Sequence, residues 1–173
     1  DVYIERADGS VAAPGELGEI VGRSPSTITS YFNNPEKTQE TFRGGYVHTG
    51  DLGMMDEEGF VFIKGRIKDM IVSGGQNVHA AEIEEILLGL DGVADCAVFG
   101  LPDELWGERV SVLIVRGGDS GAALTAEAVE AHCRSRLAGF KIPRTILFDR
   151  EPLPRTPTGK VQKFLLVERY AGS

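Results

Sequence analysis

No stretch of this sequence is apolar for long enough to span a bilayer, and no charged-then-apolar leader precedes its first strand-like segment. A membrane anchor is therefore not expected. The end, "ERYAGS", carries no address signal, so a cytoplasmic location is the default expectation. Basic residues are in deficit: 18 Lys and Arg stand against 26 Asp and Glu, for a formal net charge of −8. Binding a DNA or RNA backbone requires a basic surface that releases counterions, so nucleic acid is not an expected partner and any bound anion is small and met locally. Cysteine is scarce as well. Cys96 and Cys133 make neither a metal spacing nor a disulfide framework, and read as small buried thiols of a reducing compartment. His48, His79 and His132 are scattered with no metal partner at ligand spacing, so no metal site is expected in this chain. No Ser-His-Asp or Cys-His arrangement can be built either.

What remains is a globular composition, 42% apolar and 25% charged over 173 residues, enough for one domain or one domain plus part of another. The first residue is Asp1, and "DVYIERADGS" already alternates apolar and polar, so the chain is expected to begin inside a β-region as a piece of a longer protein.

To about Ile67 the pattern is strands and turns: "VYIER", "GEIVGR", "YVHTGD" and "FVFIKGR", separated by Gly, Pro and Asn clusters. The exception is "NNPEKTQETF", where Asn34 can cap, Pro35 takes the first helical position and Glu36 follows, predicting a short helix. After Lys68, strands alternate with helices. "AAEIEEILLGL" sets Ile83, Ile86, Leu87 and Leu90 on one helix face. "VADCAVFG", "RVSVLIV" and "TILF" read as strands, and "TAEAVEAHCRSRL" as a Thr-capped helix lining up Val129, Cys133 and Leu137. "PLPRTPTGK" holds three prolines and a glycine, so it is neither helix nor central strand, and "VQKFLLVERY" reads as a terminal helix. The boundary is placed near Arg66 to Asp69.

Several connections carry charge. In "HTGD", a carboxylate after a Gly turn can accept bonds from the cis-hydroxyls of a ribose, although Asp51 taken alone reads more simply as a turn aspartate. In "GRIKD", Arg66 can fork onto phosphate or hydroxyl oxygens and share a ligand with Asp51, or merely form a salt bridge in a hairpin. "SGGQN" fits neither the dinucleotide fingerprint nor a P-loop, while Gly74 and Gly75 permit close approach and positive φ. "TPTGK" ends like a P-loop, but Pro154 stands where that motif needs glycine and Val161 follows Lys160. What it offers is a stiff loop presenting one amine, useful where a carboxylate attacks a phosphate and two anions must meet. Trp106 in "PDELWGE" is a core or a stacking residue.

Taken in order, "GELGEIVGRSPSTITSYFNNPEKTQETF", "GGYVHTGDLGMMDEEGFVFIKGRIKDMIVSGGQNVHAAEIEEIL", "VFGLPDELWGERVSVLIV" and "PLPRTPTGKVQKFLL" closely resemble the C-terminal part of the adenylate-forming enzymes, most of all bacterial fatty-acyl and aryl-acid CoA ligases. The likeness runs through almost the whole chain and rests on several independent motifs. It implies an α+β fold: a small C-terminal domain, residues 68–173, with a mixed three-stranded sheet, helices and a two-stranded hairpin. Residues 1–67 would be the β-rich end of the large AMP-binding N-terminal domain, its barrel-like subdomain. It also implies activation of a carboxylic acid with MgATP to an acyl-adenylate, followed by transfer of the acyl group to CoA. By this resemblance Asp51 holds the ribose hydroxyls, Arg66 contacts the ribose and phosphate region, and Lys160 bridges the attacking carboxylate and the α-phosphate. Lys68 matches the hinge about which the small domain swings between half-reactions. Gly74 and Gly75 would line the pantetheine path, and Trp106 and Phe140 would stack near the CoA adenine, although related aryl ligases carry an Arg where this chain has Ile142.

The family's phosphate loop, the Glu that holds magnesium and the acyl pocket lie upstream of these residues, so this piece alone is expected to lack adenylation activity. Two alternatives accompany the ligase reading: an adenylation domain that loads a carrier protein, and a non-catalytic nucleotide-binding or interaction module. The chain stops soon after its last motif, which favours CoA, and the joint presence of Asp51, Arg66 and Lys160 as three unpaired charges argues against a decayed site.

Overall fold

Two units emerge from the way the backbone packs, Asp1–Lys68 and Asp69–Ser173. The computed structural model of the chain describes residues 1–171, with side chains at all of them except 119 and 120. The last two positions of the expected second domain lie outside the described residues.

The first unit is an antiparallel sheet of strands β1 (Val2–Glu5), β2 (Gly18–Gly22), β3 (Phe42–Arg43), β4 (Tyr46–Met55) and β5 (Val61–Arg66). Its order is β1-β2-β4-β3, with β5 also on β4. Ile4, Val21 and Leu52 are its buried apolar side chains. Helix α1 (Pro35–Thr41) forms for the reasons its sequence suggests: the Asn34 side chain accepts the Lys37 amide N–H at 2.9 Å, Pro35 needs no partner for a missing N–H, and Glu36 complements the helix dipole.

One expectation is corrected here. "HTGD" is not a connection between strands; it lies inside the ten-residue strand β4. Glu19 pairs with Leu52 and Val21 with His48, so Thr49, Gly50 and Asp51 stand opposite the single residue Ile20. This bulge is possible because Gly50 adopts φ +70°, and Thr49 closes it by donating its hydroxyl to Ile20 O at 2.8 Å.

The second unit runs β6 (Met70–Ser73), β7 (Gln76–His79), α2 (Ala80–Leu88), β8 (Val93–Asp103), β9 (Gly107–Arg116), α3 (Gly118–Ala123), α4 (Ala126–Arg134), β10 (Thr145–Asp149) and α5 (Lys163–Tyr170). Strand β9 pairs antiparallel with β8 and parallel with β10, giving the mixed three-stranded sheet. The β6–β7 hairpin joins it where Ser73 pairs with Gly107. The sheet is buried on both faces, which explains why its strands read as continuous apolar runs. One face sets Cys96, Val98, Val112 and Ile114 against Ile83 and Leu87 of α2 and Val129 and Cys133 of α4. The other sets Ala97, Phe99 and Leu113 against Leu153 and Leu166, the latter on α5. Truncating a fully buried side chain such as Leu87 to Ala removes about 2–5 kcal/mol of stability. Thr125 caps α4 by accepting the Ala128 N–H at 3.3 Å.

Helix α3 went unpredicted, because "GGDSGAA" has no capping side chain and poor propensity. Tertiary contact supports it instead: a Cβ on Gly121 would meet Gly92 O at 2.9 Å, and Arg116 donates to Leu124 O at 2.7 Å just past the helix end. Among the described residues, no helix is long and apolar enough to cross a membrane.

Candidate functional site

In the first unit the β4 bulge and the β4–β5 register bring Asp51 directly opposite Arg66, 15 residues later in the chain. Arg66 donates its Nε–H to Asp51 Oδ1 at 2.6 Å, and both side chains are partly exposed. Asp51 and Arg66 are therefore partners of one another, which corrects the expectation of three unpaired charges. The pair uses one carboxylate oxygen of Asp51, leaving lone pairs on Oδ2. Asp51 is aimed by its neighbours: its amide donates to Thr49 Oγ1 at 3.0 Å, and the Gly50 amide donates to Glu19 Oε1 at 2.9 Å. Arg66 and Lys68 line a cleft of about 690 Å³ together with Tyr31, Lys37 and His48. Lys68 is exposed, at the centre of the single helical turn Ile67–Asp69 that contains the boundary between the units.

His48 occupies a setting that spacing alone could not reveal. Ligand-capable atoms of Glu5, Glu19 and His48 lie within 4.8 Å of one another, drawn together by three neighbouring strands. The Arg43 guanidinium stands among them, 2.7 Å from His48 Nδ1 and 3.3 Å from Glu19 Oε2. A cation is already supplied there by the protein.

In the second unit, Gly74 and Gly75 form the two-residue loop of the β6–β7 hairpin, with φ +58° and +75°, the sign pattern that suits the twist of a hairpin. Gly74 lies flat against Trp106: a Cβ there would meet the ring at 2.7 Å, and its amide donates to Trp106 O at 2.8 Å. Trp106 is thus a half-buried stacking residue, and its stacking partner within the chain is Arg144, whose guanidinium lies 4.0 Å from the ring centroid. Phe140 is exposed on the helical turn Gly139–Lys141, which Lys141 ties to α2 by bonding both Glu82 oxygens at 2.8 and 2.7 Å. Glu82, an acidic residue in the first turn of α2, therefore both complements the helix dipole and anchors this turn. Ile142 packs against the core.

Lys160 follows a β-turn in which the Gly159 amide donates to Thr156 O at 2.8 Å, with Pro157 and Gly159 in the positions such turns favour. Its backbone is held twice by Thr156: Thr156 N–H donates to Lys160 O at 2.8 Å, and Lys160 N–H to Thr156 Oγ1 at 3.2 Å. Its side chain is exposed, and its ammonium has no hydrogen bond or ion pair among the described residues.

The second unit has the fold of the C-terminal domain of adenylate-forming enzymes. The chain matches the model of the AMP-binding enzyme C-terminal domain over residues 82–160. It is 43% identical over all 173 residues to the long-chain-fatty-acid–CoA ligase FadD13 of Mycobacterium tuberculosis, covering 33% of that protein. Over 98% of its length it is 40% identical to a feruloyl-CoA synthase of an Amycolatopsis species, covering 34% of it. Among solved structures it is similar to o-succinylbenzoate CoA synthetase (MenE) of Bacillus subtilis in complex with its acyl-adenylate intermediate, with TM-score 0.87 and 36% identity over 96% of this chain and 33% of that one. The chain spans about a third of the length of these relatives.

Proposed function

We propose that this chain is the C-terminal third of an AMP-forming acyl-CoA ligase, with residues 1–67 ending its large ATP-binding domain and residues 68–173 forming its mobile domain. The complete enzyme activates a fatty or aryl carboxylic acid with MgATP, releasing pyrophosphate, and passes the acyl group from the adenylate to the CoA thiol, releasing AMP. Its names among relatives, a fatty-acid ligase and a feruloyl-CoA synthase, support this substrate class. The exposed Phe60 and Phe62, two residues apart at the start of β5, are apolar side chains suited to contact with the rest of the large domain. Two free, buried cysteines fit a cytoplasmic enzyme.

The observation that carries the reading is Lys160: an exposed ammonium without a carboxylate partner among the described residues, on a turn whose backbone is held by hydrogen bonds. In adenylation a carboxylate must approach an α-phosphate, and a cation that is already oriented offsets their repulsion without reorganising. Asp51 Oδ2 accepts the ribose hydroxyls while Arg66 holds the carboxylate in place. In the second half-reaction the backbone torsions at Lys68 change, and the surface of Gly74, Gly75, Trp106 and Phe140 meets CoA. Among the described residues, the one cluster of ligand-capable groups does not fit magnesium: the ion needs near-octahedral oxygen ligands, whereas Glu5, Glu19 and His48 contribute a nitrogen and stand beside a guanidinium. Its ligand belongs to the upstream portion.

The test uses the complete ligase. Lys160→Ala is expected to lower pyrophosphate release about 10²–10³-fold and to preserve thioester formation from supplied acyl-adenylate. Equal loss in both steps would contradict the assignment.

A further inference from the structure

We infer that Arg155, braced by Asp95, is a positioning residue for Lys160: it fixes the peptide plane from which the lysine side chain departs. The inference rests on the proposed role of Lys160, and it concerns what aims that group.

Residues 154–162 form a small hairpin of their own. Gln162 N–H donates to Pro154 O at 2.8 Å, Arg155 and Val161 are bridged, and the turn bonds of Thr156 close the tip. These contacts make the loop internally stiff, but none of them fixes it to the sheet. Val161 packs the loop's base against the core on the Ala97 and Phe99 face of the sheet, and Arg155 supplies the polar connection nearer the tip from one guanidinium. Its Nη2 donates to Asp95 Oδ2 on β8 at 2.6 Å, and its Nη1 donates to Gly159 O at 2.7 Å. Asp95 is itself oriented, because its other oxygen accepts the Cys96 N–H at 3.0 Å. The chain of contacts therefore runs from the central sheet through two charged side chains to the residue before Lys160.

The geometry at the end of that chain is specific. Gly159 C=O and Lys160 N–H are two edges of a single planar peptide unit. Arg155 holds the carbonyl edge, and Thr156 Oγ1 holds the amide edge at 3.2 Å. With both edges held, the plane cannot rotate, and the direction of the Lys160 Cα–Cβ bond is confined. Past the turn, Lys163 at the start of α5 bonds Glu84 Oε1 at 2.8 Å, and the same oxygen accepts the Val98 N–H at 2.8 Å. The loop is thus tied to the sheet and α2 on both sides of Lys160.

Exposure separates this role from a general structural one. The Arg155 and Asp95 side chains are 43% and 31% exposed, so water screens the pair and it contributes little to global stability. A planar fork that satisfies a carboxylate and a carbonyl together is nevertheless well suited to holding an angle, which a lysine at position 155 could not do.

In the complete ligase, Arg155→Ala is expected to slow adenylation about 10²-fold, the scale of a misplaced reacting group, and to leave thioester formation from supplied acyl-adenylate unchanged. Asp95→Asn, which conserves side-chain shape, is expected to produce a smaller loss of the same kind. The decisive variant combines Arg155→Ala with Lys160→Ala: it should adenylate no more slowly than Lys160→Ala alone, since nothing is left to position. Losses that multiply in the double variant, equal loss of both half-reactions in Arg155→Ala, or adenylation at full rate in Arg155→Ala beside a crippled Lys160→Ala would each overturn the inference while leaving the lysine's role intact. Normal adenylation by Lys160→Ala would instead remove that role, and the inference with it.

Discussion

Replacing Gly74 with alanine tests the fit of the hairpin loop against Trp106, and Gly75 next to it supplies the control. Both glycines have positive φ, +58° and +75°, so an alanine at either position incurs the left-handed penalty of about 1–2 kcal/mol. Reduced freedom of the unfolded chain offsets about 0.4–1 kcal/mol of this. The positions differ in what a methyl group would meet. At Gly75 nothing lies within 4 Å, whereas at Gly74 the new Cβ would lie 2.7 and 2.9 Å from Cε3 and Cζ3 of Trp106. The ring has little room to yield, because the Arg144 guanidinium stacks on it and its own backbone is bonded to Asp103 Oδ1 and to the Gly74 amide. Overpacking of this kind costs about 1–3 kcal/mol. Gly75→Ala is therefore expected to destabilise the second unit by about 1 kcal/mol and Gly74→Ala by about 3 kcal/mol, combining these ranges. Trp106 is the only tryptophan, so its fluorescence during urea unfolding reports on this unit and this contact. With a urea slope of about 1–3 kcal/mol/M, the two midpoints should differ by about 1 M. The native emission should also change in Gly74→Ala alone. Coincident midpoints for the two variants would refute the reasoning, because they would mean that the ring moves aside without cost.

Changing Lys68 to Pro, which fixes φ, is expected to spare adenylation in the complete ligase and to abolish thioester formation; adenylation that fell equally far would remove the hinge role. Asn34→Ala should destabilise the first unit by about 1 kcal/mol through loss of the bond to Lys37 N–H, and an unchanged urea midpoint for that unit would refute it. Burial, with smaller contributions from Glu84 and Asp95, pushes the Cys96 thiol up to about 12, so the native chain should resist thiol reagents at pH 8 while the unfolded chain reacts. The sign for stability follows: an unfolded thiol ionises near 9.0 and the native one only near 12, so the unfolded state gives up its proton first and stability falls as pH rises between those values. A urea midpoint that rose from pH 8 to pH 10 would contradict this.

What could be read from the sequence was whatever is written in consecutive residues. The Asn34 and Thr125 caps, the Ile83 and Leu87 face of α2 and the doubly buried strands each depend on spacings of a few positions, and each appears where it was expected. Helix α3 escaped because its support comes from Gly92 and Arg116 rather than from its own side chains. "HTGD" was misread as a turn because a glycine at positive φ marks a bulge within a strand as readily as a connection between two, and only the pairing of Glu19 with Leu52 and Val21 with His48 distinguishes them. The same register decides that Asp51 faces Arg66, since a slip of one residue would turn either side chain to the opposite face of the sheet. The group proposed to act and its proposed support therefore differ in legibility for a physical reason. Lys160 can be singled out from "PRTPTGK" because the turn that presents it is local. Arg155 stands in that same motif, yet its task depends on Asp95, 60 positions earlier, and the two meet only when β8 is in the sheet and the loop has closed over it. A motif can name the group that acts, while the geometry that aims it is a property of the folded chain.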